Sequence, residues 1–372
     1  MLVVGRALGA GVSVKRIVIL SARVGAGHDG AAAELARRMR RRGFEVTVHD
    51  FLDLLPGRLG QHLCDAYHRQ LRMAPRSWDW LLGALGSPSM ASLAIRLSAS
   101  AKPRLLAALE PSPALVVSTY PLASQALTHL DGTGELTAPV AIYLTDPSVH
   151  RLCVTKQSAL HIAPNASAAG HARRLGARDV AIAEPVVAPA FRPSTGASET
   201  KLARESFGLP YDERLALVLS GSWGVGQVER ITRDVADSGE ARPVVVCGRN
   251  DALLRKLRQL RFPHVYGWVD DMPALMRACD LVVQNAGGLT TMEALASGLP
   301  VITYRCLPGH GRANASVLDD AGLVPWVREP AELAAALARV MPAAGAAAHE
   351  DPAVLLEALA TRPITTPART PA

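Results

Sequence analysis

Short runs of β-branched and aliphatic residues alternate with Ala/Leu/Arg-rich stretches along nearly all of this 372-residue chain, and that alternation constrains the fold most. KRIVILSA at 15–22 has the continuous apolar character of a buried strand, AAAELARRMRRRG at 31–43 that of a helix stopped at Gly43, and EVTVHD at 45–50 that of the next strand. ALVVST (114–119), VAIYLTD (140–146), ALHIA (159–163) and VAIAEP (180–185) continue the series. Strands joined through crossover helices run parallel, and a parallel sheet has both faces covered. The expected class is therefore α/β.

The pattern breaks at 185–198, where PVVAPAFRPSTGAS is rich in Pro, Ser and Gly and lacks periodicity, as a linker does. It then restarts: RLALVLSG (214–221), RPVVVCG (242–248), CDLVVQNA (279–286) and LPVITY (299–304) read as strands, with helical stretches between them. Two doubly wound halves follow, with expected bounds 1–190 and 191–345, and a C-terminal helix with a disordered tail over 346–372. Residues 60–110 have no strand pattern; QHLCDAYHRQLRMAPRSWDWLLG reads as an amphipathic helix broken around Pro75. This is a helical insertion packed on the sheet or an interfacial surface.

Composition narrows the class. At 49% hydrophobic and 20% charged the chain forms a core, and with 4% aromatics that core is aliphatic. Net charge is +7, carried almost wholly by Arg; it reflects codon usage or attraction to phosphate, nucleic acid or an anionic membrane. Cys64, Cys153, Cys247, Cys279 and Cys306 are odd in number and contain no C-x-x-C, which argues against a disulfide framework or zinc site and for reduced cytosolic thiols. The first fourteen residues read as a ragged extension without a cleavable signal, and no membrane-spanning stretch is present.

Two glycine loops follow strands. In the first, Gly25, Gly27 and Gly30 match G-x-G-x-x-G, and Asp50 lies twenty residues beyond, which together form a dinucleotide fingerprint. The same loop carries His28 at the mouth of a helix, where a neutral imidazole suits general-base work; a helix-capping role is the plainer alternative. In the second, Gly287, Gly288, Thr290 and Thr291 place small residues and backbone N–H groups at a helix start, a cradle for a diphosphate, with Glu293 within about the first turn as a helix cap or ribose ligand.

The string NAGGLTTMEALASGLPVITYRCLPGHGRANASVLDDAG resembles the donor-binding segment of inverting GT-B glycosyltransferases, most closely the monogalactosyldiacylglycerol-synthase-like group. That group is related to the GlcNAc transferase of the lipid-linked peptidoglycan precursor. LSARVGAGHDG, YLTDPSVHRLCV and VVCGRND with HVYGWVDDMPALMRACDLVVQNAGG resemble further segments of the group, in its order, from about residue 15 to 325. The resemblance implies a GT-B fold, two doubly wound Rossmann-like domains facing a central cleft. It implies His28 as base, with Asp146 as the competing candidate. Gly27 and His150 are placed near the acceptor, with Trp78 and Trp80 of the insertion. For the donor it implies Gly221 and Ser222 near the phosphates, Arg249 as a basic residue, Trp268 and Val269 at the uracil edge, Asn285, Gly287, Gly288, Leu289 and Thr290 at the diphosphate, Glu293 at the ribose, and His310 and Asn314 near the sugar. One departure is plain: the group carries Gln followed by an acid after Pro-Gly, whereas this chain has His310 and Gly311, so the donor sugar is left open.

The expected activity is an inverting, metal-independent transfer of a hexose from a nucleotide-sugar, a UDP-sugar by resemblance, to a hydroxyl of a lipid such as diacylglycerol. No D-x-D occurs, no cofactor or metal is expected, and the donor is a substrate. The expected setting is cytoplasmic, peripheral on the inner face of the plasma membrane, with insertion arginines on anionic lipid. Nucleic acid is disfavoured because the arginines are dispersed without a stacking platform. The alternatives are a soluble natural-product acceptor, an NAD(P)-binding oxidoreductase using 25–30 and Asp50, a nucleotide-sugar 2-epimerase and a non-catalytic nucleotide-sugar sensor.

Overall fold

The computed structural model describes residues 14–73, 88–342 and 349–362. Two six-stranded parallel sheets carry the chain. The first comprises β1 (Arg16–Ser21), β2 (Glu45–Asp50), β3 (Leu115–Ser118), β4 (Val140–Tyr143), β5 (Leu160–Ala163) and β6 (Val180–Ile182), in the order β2-β1-β3-β4-β5-β6. The second comprises β7 (Leu215–Leu219), β8 (Arg242–Val246), β9 (His264–Tyr266), β10 (Leu281–Gln284), β11 (Val301–Tyr304) and β12 (Trp326–Val327), in the order β12-β11-β10-β7-β8-β9. The two doubly wound halves are present, and every expected strand has its counterpart.

Both faces of each sheet are buried, which explains the continuous apolar runs. In β1, Val18 and Leu20 enter one core while Ile17 and Ile19 enter the other. In β7, Leu215, Leu217 and Leu219 face one side and Ala216 and Val218 the other. Helix Gly27–Arg41 buries Ala31, Ala32, Leu35, Ala36 and Met39 against the first sheet. The strands absent from the sequence-based pattern are the edge elements β9 and β12, three and two residues long. At that length, period-2 alternation carries no signal.

Each sheet has a point where the strand order reverses: between β1 and β3 in the first, between β7 and β10 in the second. Loops leaving the carboxyl ends of such strands diverge and open a crevice, the usual ligand site of an open parallel sheet. The two glycine loops leave β1 and β10, one at each crevice.

The insertion is helical where described: Leu59–Met73, Pro88–Ala99 and Lys102–Ala108. Pro75, Trp78 and Trp80 lie outside the described residues. The linker stretch ends in helix Ala197–Ser206, begun at Gly196. The chain then crosses a second time. Helix Pro352–Thr361 returns to the first sheet, where Ala353, Leu356, Leu359 and Ala360 share a core with Ile17 and Leu35, so the last helix is part of the first domain's packing. Arg38 holds both crossings: its guanidinium bonds Glu34 (2.7 Å), Glu184 (2.8 Å), Asp351 (2.9 Å) and the Val187 carbonyl (3.0 Å). All five cysteines are free thiols. Among the described residues no helix is long and apolar enough to cross a membrane.

Candidate active site

A cleft of about 560 Å³ opens between the two sheets' carboxyl ends, lined by residues of both domains. Of the residues singled out from sequence, Gly27, His28, Asp146, His150, Gly221, Ser222, Gly288, Leu289, Thr290, Glu293, His310 and Asn314 line it. The others do not. Asn285 is fully buried behind it, its side-chain amide donating to the Val225 carbonyl (3.0 Å). Val269 packs against the second domain's core. Arg249 and Trp268 sit outside the cleft wall and stack on each other, with the guanidinium 4.5 Å from the ring centroid. The Trp268 indole N–H is turned to Asp270 (2.9 Å).

His28 lies in the first turn of helix Gly27–Arg41. Its Nδ1 is 2.7 Å from the Thr119 carbonyl and 3.1 Å from Thr145 Oγ1. A carbonyl only accepts, so Nδ1 carries the proton and Nε2 keeps a lone pair. The Tyr120 ring meets the imidazole edge-on at 5.3 Å and holds its plane. This is an oriented imidazole with a backbone carbonyl in the place an acid occupies in many catalytic pairs.

The first glycine loop has another use than the one its motif suggests. A Cβ on Gly30 would stand 2.5 Å from Leu289 Cδ2, and one on Gly27 3.9 Å from Leu289 Cβ. The bare backbone lets the start of helix Gly27–Arg41 meet the start of helix Leu289–Ala296 across the cleft. Two helix N-termini then face the same space, an arrangement that favours an anion. Asp50, the acid of the dinucleotide alternative, is otherwise engaged. It caps the next helix through the Leu52 N–H (2.8 Å) and pairs with Arg23 (2.9 Å).

The second loop divides its amides. Gln284 Oε1 accepts the N–H groups of Ala286 (2.7 Å) and Gly287 (2.5 Å), so Gly287 is not a phosphate donor in this conformation. Its φ of +78° and the 2.8 Å between a Cβ there and Asn314 Cβ explain the glycine instead. Helix Leu289–Ala296 starts at Gly288 without a side-chain cap, so the amides open to a ligand belong to its first turn. The loop after β7, which accepts from the Asn285 side chain through the Val225 carbonyl, is itself locked against the loop after β8. Gly224 at φ +55° lies so close to the Cys247 carbonyl that a Cβ would meet it at 2.1 Å, and the Arg249 N–H donates to the Ser222 carbonyl (2.9 Å).

Glu293 stands one turn into that helix, lines the cleft, and makes no ion pair with any described residue. Burial pushes its carboxyl up to about 7. An isolated, desolvated carboxyl of this kind is stabilised by a ligand that donates hydrogen bonds to it. His150 caps the turn Arg151–Cys153 through Nδ1 (3.2 Å from the Leu152 N) and faces His310 at 6.4 Å. Burial holds both imidazoles below the usual range, with His310 adding to the effect on His150 and Asp146 opposing it on His310, so they are neutral donors and acceptors near pH 7.

Beside His28 the cleft wall turns apolar: Leu52, Leu63, Leu97, Leu122 and Leu152 line it, with Tyr67 and Tyr120. The insertion helix Leu59–Met73 also touches the second domain, with Tyr67 and His68 against Trp223 at 5.7 and 4.6 Å. Sequence reasoning missed Ser148 and Gln284. Ser148 had a signal, its place two residues after Asp146 in the Thr-Asp segment; Gln284 had none, because its role depends on where the next loop turns. Among the described residues no group of acidic, His or Cys side chains is arranged to hold a metal ion.

Residues 223–342 match the family described as Glycosyl transferases group 1. A processive diacylglycerol beta-glucosyltransferase of Bacillus mycoides is 24% identical over 330 residues, covering 86% of this chain and 83% of its own. Among solved structures, MurG of Acinetobacter baumannii is similar at a TM-score of 0.50 and 14% identity, covering 93% of each chain. Alr3699/HepE of Anabaena, solved in complex with UDP, is similar at 0.52 and 17%, covering 87% of this chain and 88% of its own. These structures share the fold.

Proposed function

We propose that this chain, a hexosyltransferase of GT-B fold related to the monogalactosyldiacylglycerol-synthase-like group, moves a hexose from a UDP-sugar to a hydroxyl on an apolar acceptor of the diacylglycerol class. The observation that carries the proposal is one cleft holding three things side by side: an oriented imidazole, an uncapped helix start and an aliphatic wall.

In the proposed reaction the acceptor's tail lies along Leu52, Leu63, Leu97, Leu122 and Leu152, which brings its hydroxyl to His28. His28 Nε2 takes the hydroxyl proton as the oxygen attacks the anomeric carbon. The bond from that carbon to the β-phosphate oxygen breaks, and UDP leaves. Attack from the His28 side, opposite the diphosphate, inverts the anomeric centre. Charge growing on the leaving diphosphate meets the first-turn amides of helix Leu289–Ala296, without need of a metal ion. Glu293 accepts the ribose hydroxyls. His310 and His150 are in place to touch the sugar.

The test is incubation with UDP- and GDP-sugars and total lipid extract, with products read by mass spectrometry, alongside His28→Ala. A sugar-bearing lipid made by the wild type and lost in His28→Ala, with UDP binding kept, supports the proposal. Unchanged turnover in His28→Ala removes His28 as base. A titration comparing NADH with UDP, followed by tryptophan fluorescence, separates the oxidoreductase alternative, and the engaged Asp50 predicts that only UDP responds.

A further inference from the structure

We propose that Asn314 is a positioning residue that clamps the two domains together and sets Asp146 against the donor loop, and that it does so in place of touching the sugar. Asn314 belongs to helix His310–Asp320 of the second domain and is 1% exposed. Its carboxamide spans the cleft. Nδ2 donates to Asp146 Oδ1 (3.1 Å) in the first domain and to the Ala286 carbonyl (3.2 Å) in its own. Oδ1 accepts from the Ser148 N–H (3.0 Å) and the Ser148 hydroxyl (2.5 Å).

Both donor hydrogens and both acceptor positions are therefore spent on protein, which leaves nothing for a sugar hydroxyl. The partners are significant. Asp146 and Ser148 flank the bend after β4, while Ala286 opens the loop that leads to helix Leu289–Ala296. Gly287 is bare where Asn314 passes, since a Cβ there would stand 2.8 Å from Asn314 Cβ. On the other side of the same contact, a Cβ on Gly288 would stand 3.2 Å from Asp146 Oδ1. One amide thus reports the position of the donor loop to the carboxylate beside the acceptor, and closing the cleft is what completes its hydrogen bonds. Only the kinetic consequence rests on the proposed transfer reaction; the clamp is a statement about domain closure.

Asn314→Asp tests it by putting a carboxylate oxygen where Nδ2 donated to Asp146. In the presence of UDP, small-angle scattering should give a larger radius of gyration than for the wild type. Adding Asp146→Asn to the same chain reverses the polarity of the pair and should bring the radius back toward the wild-type value. Turnover of Asn314→Asp should fall by about a hundredfold, the scale of an ångström's misplacement, with UDP and UDP-sugar affinities changed by a common factor. An unchanged radius, or a second change that does not restore it, overturns the clamp. Selective loss of UDP-sugar over UDP affinity overturns it in favour of a sugar contact. If the wild type transfers no sugar to any acceptor, the proposed reaction fails while the scattering comparison still decides the clamp.

Discussion

Glu293 shows how one side chain's environment sets a measurable property of the site. Its carboxyl is pushed up to about 7 by burial, so at neutral pH it is part protonated before a ligand arrives. Hydroxyl groups of a ribose donate to the ionised form and favour it. Binding of a UDP-sugar should therefore release a proton and tighten as pH rises from roughly 6 to roughly 8. Calorimetry in buffers of different ionisation heat measures this directly, and Glu293→Gln should flatten the dependence. His28 gives the second residue-scale expectation. With Nδ1 held by Thr119, His28→Gln keeps the shape of the site and loses the base, so transfer should fall at least about a hundredfold while UDP affinity holds.

At the scale of elements, the loops are held by close approaches that admit no side chain. Gly224→Ala combines a φ of +55° with a clash against the Cys247 carbonyl. Chemical denaturation should show a loss of about 2 kcal/mol or more, with UDP affinity lowered because Ser222 moves with the loop. Arg38 anchors a larger assembly. It joins helix Gly27–Arg41 to both strands of chain that cross between the domains, and Glu34 beneath it is 6% exposed. Arg38→Ala should cost about 3 kcal/mol, at the lower end for a broken buried pair because Arg37 still holds Glu34.

For the whole molecule, the insertion helices contribute Leu63 and Leu97 to the cleft's aliphatic wall, and Leu93 and Ile95 on helix Pro88–Ala99 are exposed. If that side meets a lipid surface through arginine and aliphatic contacts, flotation with anionic vesicles should recover the protein at low salt and progressively less as salt rises. Neutral vesicles should recover less at every salt concentration. Recovery that ignores salt would place the attraction elsewhere than in the +7 charge.

Much of the architecture follows from local pattern. The strands β1 and β7 are legible because an unbroken aliphatic run between helical stretches has few other ways to bury both its faces. The two glycine loops are legible because a strand-to-helix turn with small residues is a local event. The edge strands β9 and β12 are too short for a pattern, and the return of helix Pro352–Thr361 to the first sheet depends on a surface built more than three hundred residues earlier.

The use made of each site residue belongs to the tertiary structure. Gly30 reads as a pyrophosphate glycine and is bare because Leu289 of the other domain stands over it. Gly287 reads as a phosphate donor and gives its amide to Gln284. Asn314 reads as a ligand contact and is filled by Asp146, Ser148 and Ala286. Local pattern sets which elements form and which residue types stand at their ends, since propensity and periodicity act over a few residues. Which of those ends face each other across the cleft, and whether a polar atom there is free for a ligand or spent on the protein, was decided by domain packing, where each partner is brought from far along the chain.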